Sequence, residues 1–158
     1  MSNYLSAEAA PRLLTPAELG AWRGLLRVHA AMTKALDAEL VREHGLQLSS
    51  YEVLLFLADA PGGRLRMSEL ADGVLLSRSG LTRLVDRMER QGLLRRERCD
   101  DDARGYHALI TDEGRELFQR ARATHLDGVR ELFLSRLSAA ELRTLAGLWE
   151  RVSPGAAG

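Results

Sequence analysis

The stretch from Arg66 to Gly114, RMSELADGVLLSRSGLTRLVDRMERQGLLRRERCDDDARGYHALITDEG, decides how this chain is read. Ser68 to Val74 reads as a short helix with Leu70, Ala71 and Val74 inward. Ser77 then stands where a helix cap is wanted, and a second helix runs from Arg78 to the neighbourhood of Gln91, closed by Gly92. Measured from Arg78 at about 100° per residue, Leu81, Leu84, Val85 and Met88 gather within roughly a quarter of the circumference. Arg78, Ser79, Thr82, Arg83, Asp86, Arg87 and Arg90 occupy the other side. The apolar quarter can bury against preceding helices, which leaves the polar side for a partner. Leu93 to Arg98 and His107 to Ile110 carry strand-like residues around the polar turn Cys99 to Tyr106, the pattern of a β-hairpin. Two short helices followed by a hairpin make a winged helix-turn-helix.

Working outward, Arg64-Leu65-Arg66 predicts a short extended piece, and Ser49-Ser50-Tyr51-Glu52 a capping box for a helix that Pro61-Gly62-Gly63 stops. Thr15-Pro16-Ala17-Glu18 starts a long helix with apolar residues at three- and four-residue steps, ending near His44-Gly45. At 1.5 Å per residue it would be about 40 Å long, too long for its stripe to be covered by a small core alone. That predicts a partner helix, for which a second subunit is a natural source. On the other side, Thr111 caps a helix with Asp112 and Glu113 in its first turn, and Ser138-Ala139-Ala140-Glu141 is a capping box for the last helix. The fold class is therefore mainly α: a winged helix-turn-helix core with a small β-hairpin wing, flanked by long N- and C-terminal helices. The expected organisation is a flexible N-terminus over 1–14, flanking helices over 15–45 and 112–152, the winged helix over 46–111 and a flexible tail over 153–158.

Composition is consistent with this reading. The 158 residues suit one domain, and 46% hydrophobic with 28% charged residues is ordinary globular composition, which excludes wholesale disorder. A single cysteine, Cys99, excludes an intramolecular disulfide framework. No secretory pattern and no apolar run near the roughly 20 residues that span a bilayer is visible, so a cytoplasmic protein without a membrane partner is expected. There is no Gly-x-Ser-x-Gly, no phosphate-binding glycine loop and no His-Glu-x-x-His, so neither catalysis nor a cofactor is expected.

Charge points to function. The chain carries 22 basic and 22 acidic residues, which excludes a generally basic nucleic-acid coat. Residues 78–98 nevertheless hold seven arginines against three acids, an excess of four positive charges. A local basic surface on a neutral protein suits a defined polyanion, although a solvated helix face followed by a charged loop has the same composition. Arginine can make two hydrogen bonds to guanine, and serine and threonine hydroxyls can reach bases or phosphates. A helix N-terminus carrying Ser77-Arg78-Ser79 also offers amides and partial positive charge to a phosphate. Arg104, on the hairpin turn, can reach a minor groove, where narrow width concentrates negative potential. Asp100, Asp101 and Asp102 are unfavourable beside phosphates unless one of them orients an arginine.

At this point the stretch 66–114 resembles the winged-helix core of the MarR family. Ser68-Glu69-Leu70-Ala71 is similar to the helix that precedes the family's recognition helix. Leu84-Val85-Asp86-Arg87-Met88-Glu89 with Gly92-Leu93 is similar to that helix and its exit. Asp102-Ala103-Arg104 follows the family's Asp-x-Arg wing pattern, and Leu109 to Gly114 resembles its wing exit. Ala103 departs from the pattern, since relatives commonly carry a second arginine there, and this puts the strength of wing contact in doubt. Order and spacing extend the resemblance over roughly 15–152.

The resemblance implies a DNA-binding transcriptional regulator, most often a repressor, that is a homodimer joined through the first and last two helices. Each subunit would present one recognition helix to half of a near-palindromic duplex operator, with half-sites about 34–36 Å apart. It also implies release by a small, often aromatic or anionic, effector bound between the dimerisation helices and the winged helix. The expected DNA-binding residues are Ser77, Arg78, Ser79, Thr82, Arg83, Arg87 and Arg104, with Asp102 orienting Arg104. Asp86 and Glu89 can pair locally with arginines, which leaves Arg87 and Arg90 evenly balanced between DNA and the helix surface. Trp22, His29 and His44 are candidates for the effector cleft, although packing explains each of them as well.

Two further readings stay open. A winged helix can serve as a protein-interaction or ligand-binding module without specific DNA binding, which the zero net charge and acidic wing favour. A thiol- or metal-responsive regulator would use Cys99 or the scattered His29, His44, His107 and His125, none of which has metal-ligand spacing.

Overall fold

The computed structural model describes residues 12–74, 78–98 and 105–152. The chain divides into two compact units, Met1–Met32 and Thr33–Gly158. Helix α1 spans Pro16–His44. Its start is the predicted box: the Thr15 amide donates to Glu18 Oε2 at 2.7 Å, and the Glu18 amide donates to Thr15 Oγ1 at 3.3 Å. It ends at Gly45, whose φ of 63° is the left-handed conformation that glycine adopts without steric cost.

Helix α2 covers Leu48–Asp59, and its start corrects the expected box at Ser49–Glu52. The N-cap is Gln47, which makes no side-chain cap, and Ser50 is buried inside the helix. The free amide of Leu48 donates instead to Asp37 Oδ1 at 2.8 Å, from eleven residues upstream. A short 3-10 turn over Pro61–Gly63 leads into strand β1, Arg64–Arg66. Helix α3, Met67–Gly73, follows directly, with the Arg66 amide donating to Glu69 Oε2 at 2.8 Å.

Helix α4, Arg78–Arg90, is closed by Gly92 at φ 73°. Strands β2, Leu94–Arg98, and β3, Tyr106–Ile110, are the expected hairpin arms. Among the described residues the sheet has three antiparallel strands in the order β1-β3-β2, so the hairpin is one strand wider than the hairpin pattern alone implies. Helix α5, Asp112–Leu132, has Thr111 as its cap, the hydroxyl accepting from the Gly114 amide at 3.1 Å. A 3-10 turn over Leu134–Arg136 precedes α6, Ala139–Val152. There the Ser138–Glu141 box forms as expected, with the Ser138 amide donating to Glu141 Oε2 at 2.8 Å.

The core of the second unit is built from Leu40 on α1, Leu54 and Leu57 on α2, Leu70 on α3, Val85 and Met88 on α4 and Phe118 on α5. One polar ring intrudes. His125 packs on Tyr51, ring centroids 4.5 Å apart, and its Nδ1 is buried with no hydrogen-bond partner among the described residues. Burial pushes the His125 pKa below the usual histidine value. The folded state thus binds this proton less readily than the unfolded chain, so the contribution of His125 to stability is intact above about pH 6.5 and is lost as pH falls through the lower folded value. Chemical denaturation between pH 7.5 and 5 is expected to show falling stability, and His125→Phe should flatten that fall. An equal slope in the variant would assign it to other groups.

Candidate nucleic-acid interface

The site begins with the division of α4. Leu81, Leu84, Val85 and Met88 are buried, and they fix the helix against the core by one side only. Ser79, Thr82, Arg83 and Arg90 are exposed on the opposite side, and at about 100° per residue they form a single stripe with Asp86. Helix α4 is held through its apolar residues, so its outer stripe can be chosen for recognition.

The arginines of this region have different fates. Arg83 is exposed and has no ion pair or hydrogen bond among the described residues, so its fork of donors is available. Arg90 Nε donates to the Asp86 carbonyl at 3.2 Å. Arg87 turns away from the stripe: its Nη2 lies 3.5 Å from Ser50 Oγ, and it lines a cleft with Gln47, Ser50 and Gln91. The expected local pairing of Asp86 and Glu89 with arginines of the same helix is replaced by a pairing across elements. Both carboxylates meet Arg96 of β2, each at 2.7 Å from its Nη2. Burial pushes the Glu89 carboxyl up, but the amide and guanidinium hydrogen bonds and the charge of Arg96 together hold it below the ordinary carboxylate value. Arg96 was not among the residues expected at the site. The signal was available in the alternation of β2, since Arg96 shares a sheet face with buried Leu94.

Arg78 begins α4. Ser77, Cys99, Asp102 and Arg104 lie outside the described residues. The effector candidates are dispersed over the two units. Trp22 and His29 are exposed in the first. His44, in the second, is half-buried, with Nε2 at 2.7 Å from Thr124 Oγ1. Among the described residues no group of three His, Cys, Asp or Glu side chains is placed to hold a metal, and no helix is long and apolar enough to cross a membrane.

Known proteins share this arrangement. The family model described as MarR family matches residues 44–105. The HTH-type transcriptional regulator PecS of Dickeya dadantii is 31% identical over 130 residues, 81% of this chain and 76% of that one. The homoprotocatechuate degradative operon repressor of Escherichia coli is 28% identical over 111 residues, 70% of this chain and 73% of that one. The crystal structure of Sco3205, a MarR family transcriptional regulator from Streptomyces coelicolor in complex with DNA, superposes with a TM-score of 0.87 at 36% identity, covering 94% of this chain and 92% of that one. By likeness of sequence and of fold together, this chain belongs to the MarR family of DNA-binding transcriptional regulators.

Proposed function

We propose that this protein is a homodimeric repressor, acting on DNA in the cytoplasm, whose recognition helices α4 enter successive major grooves of a near-palindromic operator. The observation that carries the reading is the α4 stripe, where Arg83 stands exposed beside Ser79 and Thr82 over a fully buried apolar side. In this reading Arg83 reads a base, Thr82 and Ser79 reach bases or phosphates, and Ser77 and Arg78 bind phosphate at the helix N-terminus. Arg104 enters the minor groove, oriented by Asp102. Arg87, which faces Ser50, contributes through the protein side of the interface.

Dimerisation is supported by uncovered apolar side chains in each unit. In the first, Trp22 is 54% and Leu26 48% exposed; in the second, Trp149 is 40% and Val152 72% exposed. Side chains of this size, spaced along helix faces, suit burial against a second copy. The segments 15–45 and 112–152 would form that seam. Trp149→Glu is expected to shift the protein from dimer to monomer in sedimentation at micromolar concentration while leaving its helical circular dichroism intact; an unchanged dimer would move the seam elsewhere.

Release by a small effector is supported by a relative named as the repressor of a homoprotocatechuate degradative operon, homoprotocatechuate being an aromatic acid. Trp22, His29 and His44 are the candidate effector contacts. The decisive experiment is selection of genomic fragments followed by fluorescence anisotropy at several salt concentrations. Selective binding that falls steeply with salt, at one dimer per site, is the expected result. Equal, weak binding to all duplexes would overturn it.

A further inference from the structure

A carboxylate stands where a DNA reader should not want one. Asp86 lies within the outer stripe of α4, between Arg83 and Arg90, and its side chain is 42% exposed. Left alone it would repel the phosphates that Arg83 and Arg90 attract. The structure supplies a countercharge from another element. In β2 the odd-numbered Arg95 and Glu97 pair with each other at 3.0 Å. Arg96 points to the opposite sheet face, in register with buried Ala108 of β3, and so towards α4. Its Nη2 is 2.7 Å from both Asp86 Oδ1 and Glu89 Oε2, and its Nε is 3.0 Å from the same Glu89 oxygen. The Arg96 backbone amide also donates to Glu89 Oε1 at 2.9 Å, so Glu89 holds both the chain and the side chain of the strand.

We infer that Arg96 is a positioning residue for DNA binding, which masks the Asp86 carboxylate on the recognition stripe and, through Glu89, fixes the wing strand to α4. Planarity is what suits arginine to the task, because one guanidinium can serve two carboxylates at once, whereas a lysine ammonium is a point charge on a flexible stem. The inference rests on the DNA-binding reading above and goes beyond it by assigning a DNA-affinity role to a side chain that pairs with carboxylates of the protein itself.

The test uses the full-length protein and a fluorescein-labelled duplex that the wild type has selected from a random-sequence pool, with a scrambled duplex as control. Failure of the wild type to select any duplex would sink the DNA-binding reading itself and so be distinguished from failure of this inference. Arg96→Ala is expected to lose roughly tenfold or more in affinity, the loss shrinking as salt is raised. Adding Asp86→Asn to Arg96→Ala should restore most of that loss, since removing the exposed charge replaces the mask. A merely structural role for Arg96 would not be repaired in this way. A folded Arg96→Ala protein that binds like wild type, or one that Asp86→Asn does not rescue, overturns the inference. If Arg96→Ala does not fold, Arg96→Gln, which removes the charge and keeps a polar stem, decides: affinity several-fold below wild type that Asp86→Asn restores supports the mask, and wild-type affinity overturns it.

Discussion

Arg83→Ala is expected to weaken selective DNA binding by about 1–3 kcal/mol, which corresponds to roughly five- to 150-fold in affinity. The argument is one of availability. Of the arginines that follow Arg78 on α4, Arg87 is turned to Ser50 and Arg90 is tethered to the Asp86 carbonyl, whereas Arg83 is exposed with no partner among the described residues. Its truncation leaves the buried side of α4 untouched, so thermal stability should stay within about 0.5 kcal/mol of wild type. Anisotropy with a selected operator and with single-base variants of it separates two roles. A base-reading arginine loses discrimination at one position, while a phosphate-binding one loses affinity evenly and reduces the salt slope. Unchanged operator affinity would remove Arg83 from the interface.

Gly114→Ala is expected to be the most damaging single-methyl addition in the second unit. A Cβ at Gly114 would overlap the carbonyl oxygen of Leu93, with Ile110 Cγ1 at 3.1 Å on another side. The obstructing atom is backbone, which cannot rotate away as a side chain can. That carbonyl also accepts the Thr111 amide at 3.2 Å, so displacing it disturbs the joint between wing and α5. Overpacking of this kind costs about 1–3 kcal/mol, and the rigidity of the neighbours places Gly114→Ala at the upper end. Urea denaturation gives the measurement; a midpoint equal to wild type would mean that the first turn of α5 can slide without penalty. Gly92, the nearby glycine with φ 73°, has open space where a Cβ would lie, so its substitution strains the backbone and not the packing.

Elements whose chemistry is local were legible in the sequence. The amphipathic division of α4, the Thr15–Glu18 and Ser138–Glu141 boxes, the Thr111 cap and the closing glycines Gly45 and Gly92 each depend on residues within a turn of one another, and each appears where the pattern put it. What escaped depends on distant partners. Ser49 looked like a cap, yet the amide at the start of α2 is satisfied by Asp37, which lies on another helix. Asp86 has Arg83 and Arg90 one turn away on α4 and Glu89 has Arg90 next to it in sequence, yet both carboxylates meet Arg96, which the sheet brings to them from another element. Arg87 falls at the margin of the polar side of α4, and only the position of α2 decides that it meets Ser50. The hairpin was legible, while the edge to which β1 adds was not, since three residues carry too little pattern to select a partner strand.

The Thr111 side chain has a consequence for how α4 and α5 move. Its hydroxyl donates to the Gly92 carbonyl at 2.6 Å and accepts from the Gly114 amide at 3.1 Å. One oxygen atom therefore ties the residue that closes α4 to the first turn of α5. The end of α4 and the start of α5 thus share one pin, so a displacement of either draws on the other. A substitution at Thr111 therefore acts on two helices at once, the end of one and the start of the next.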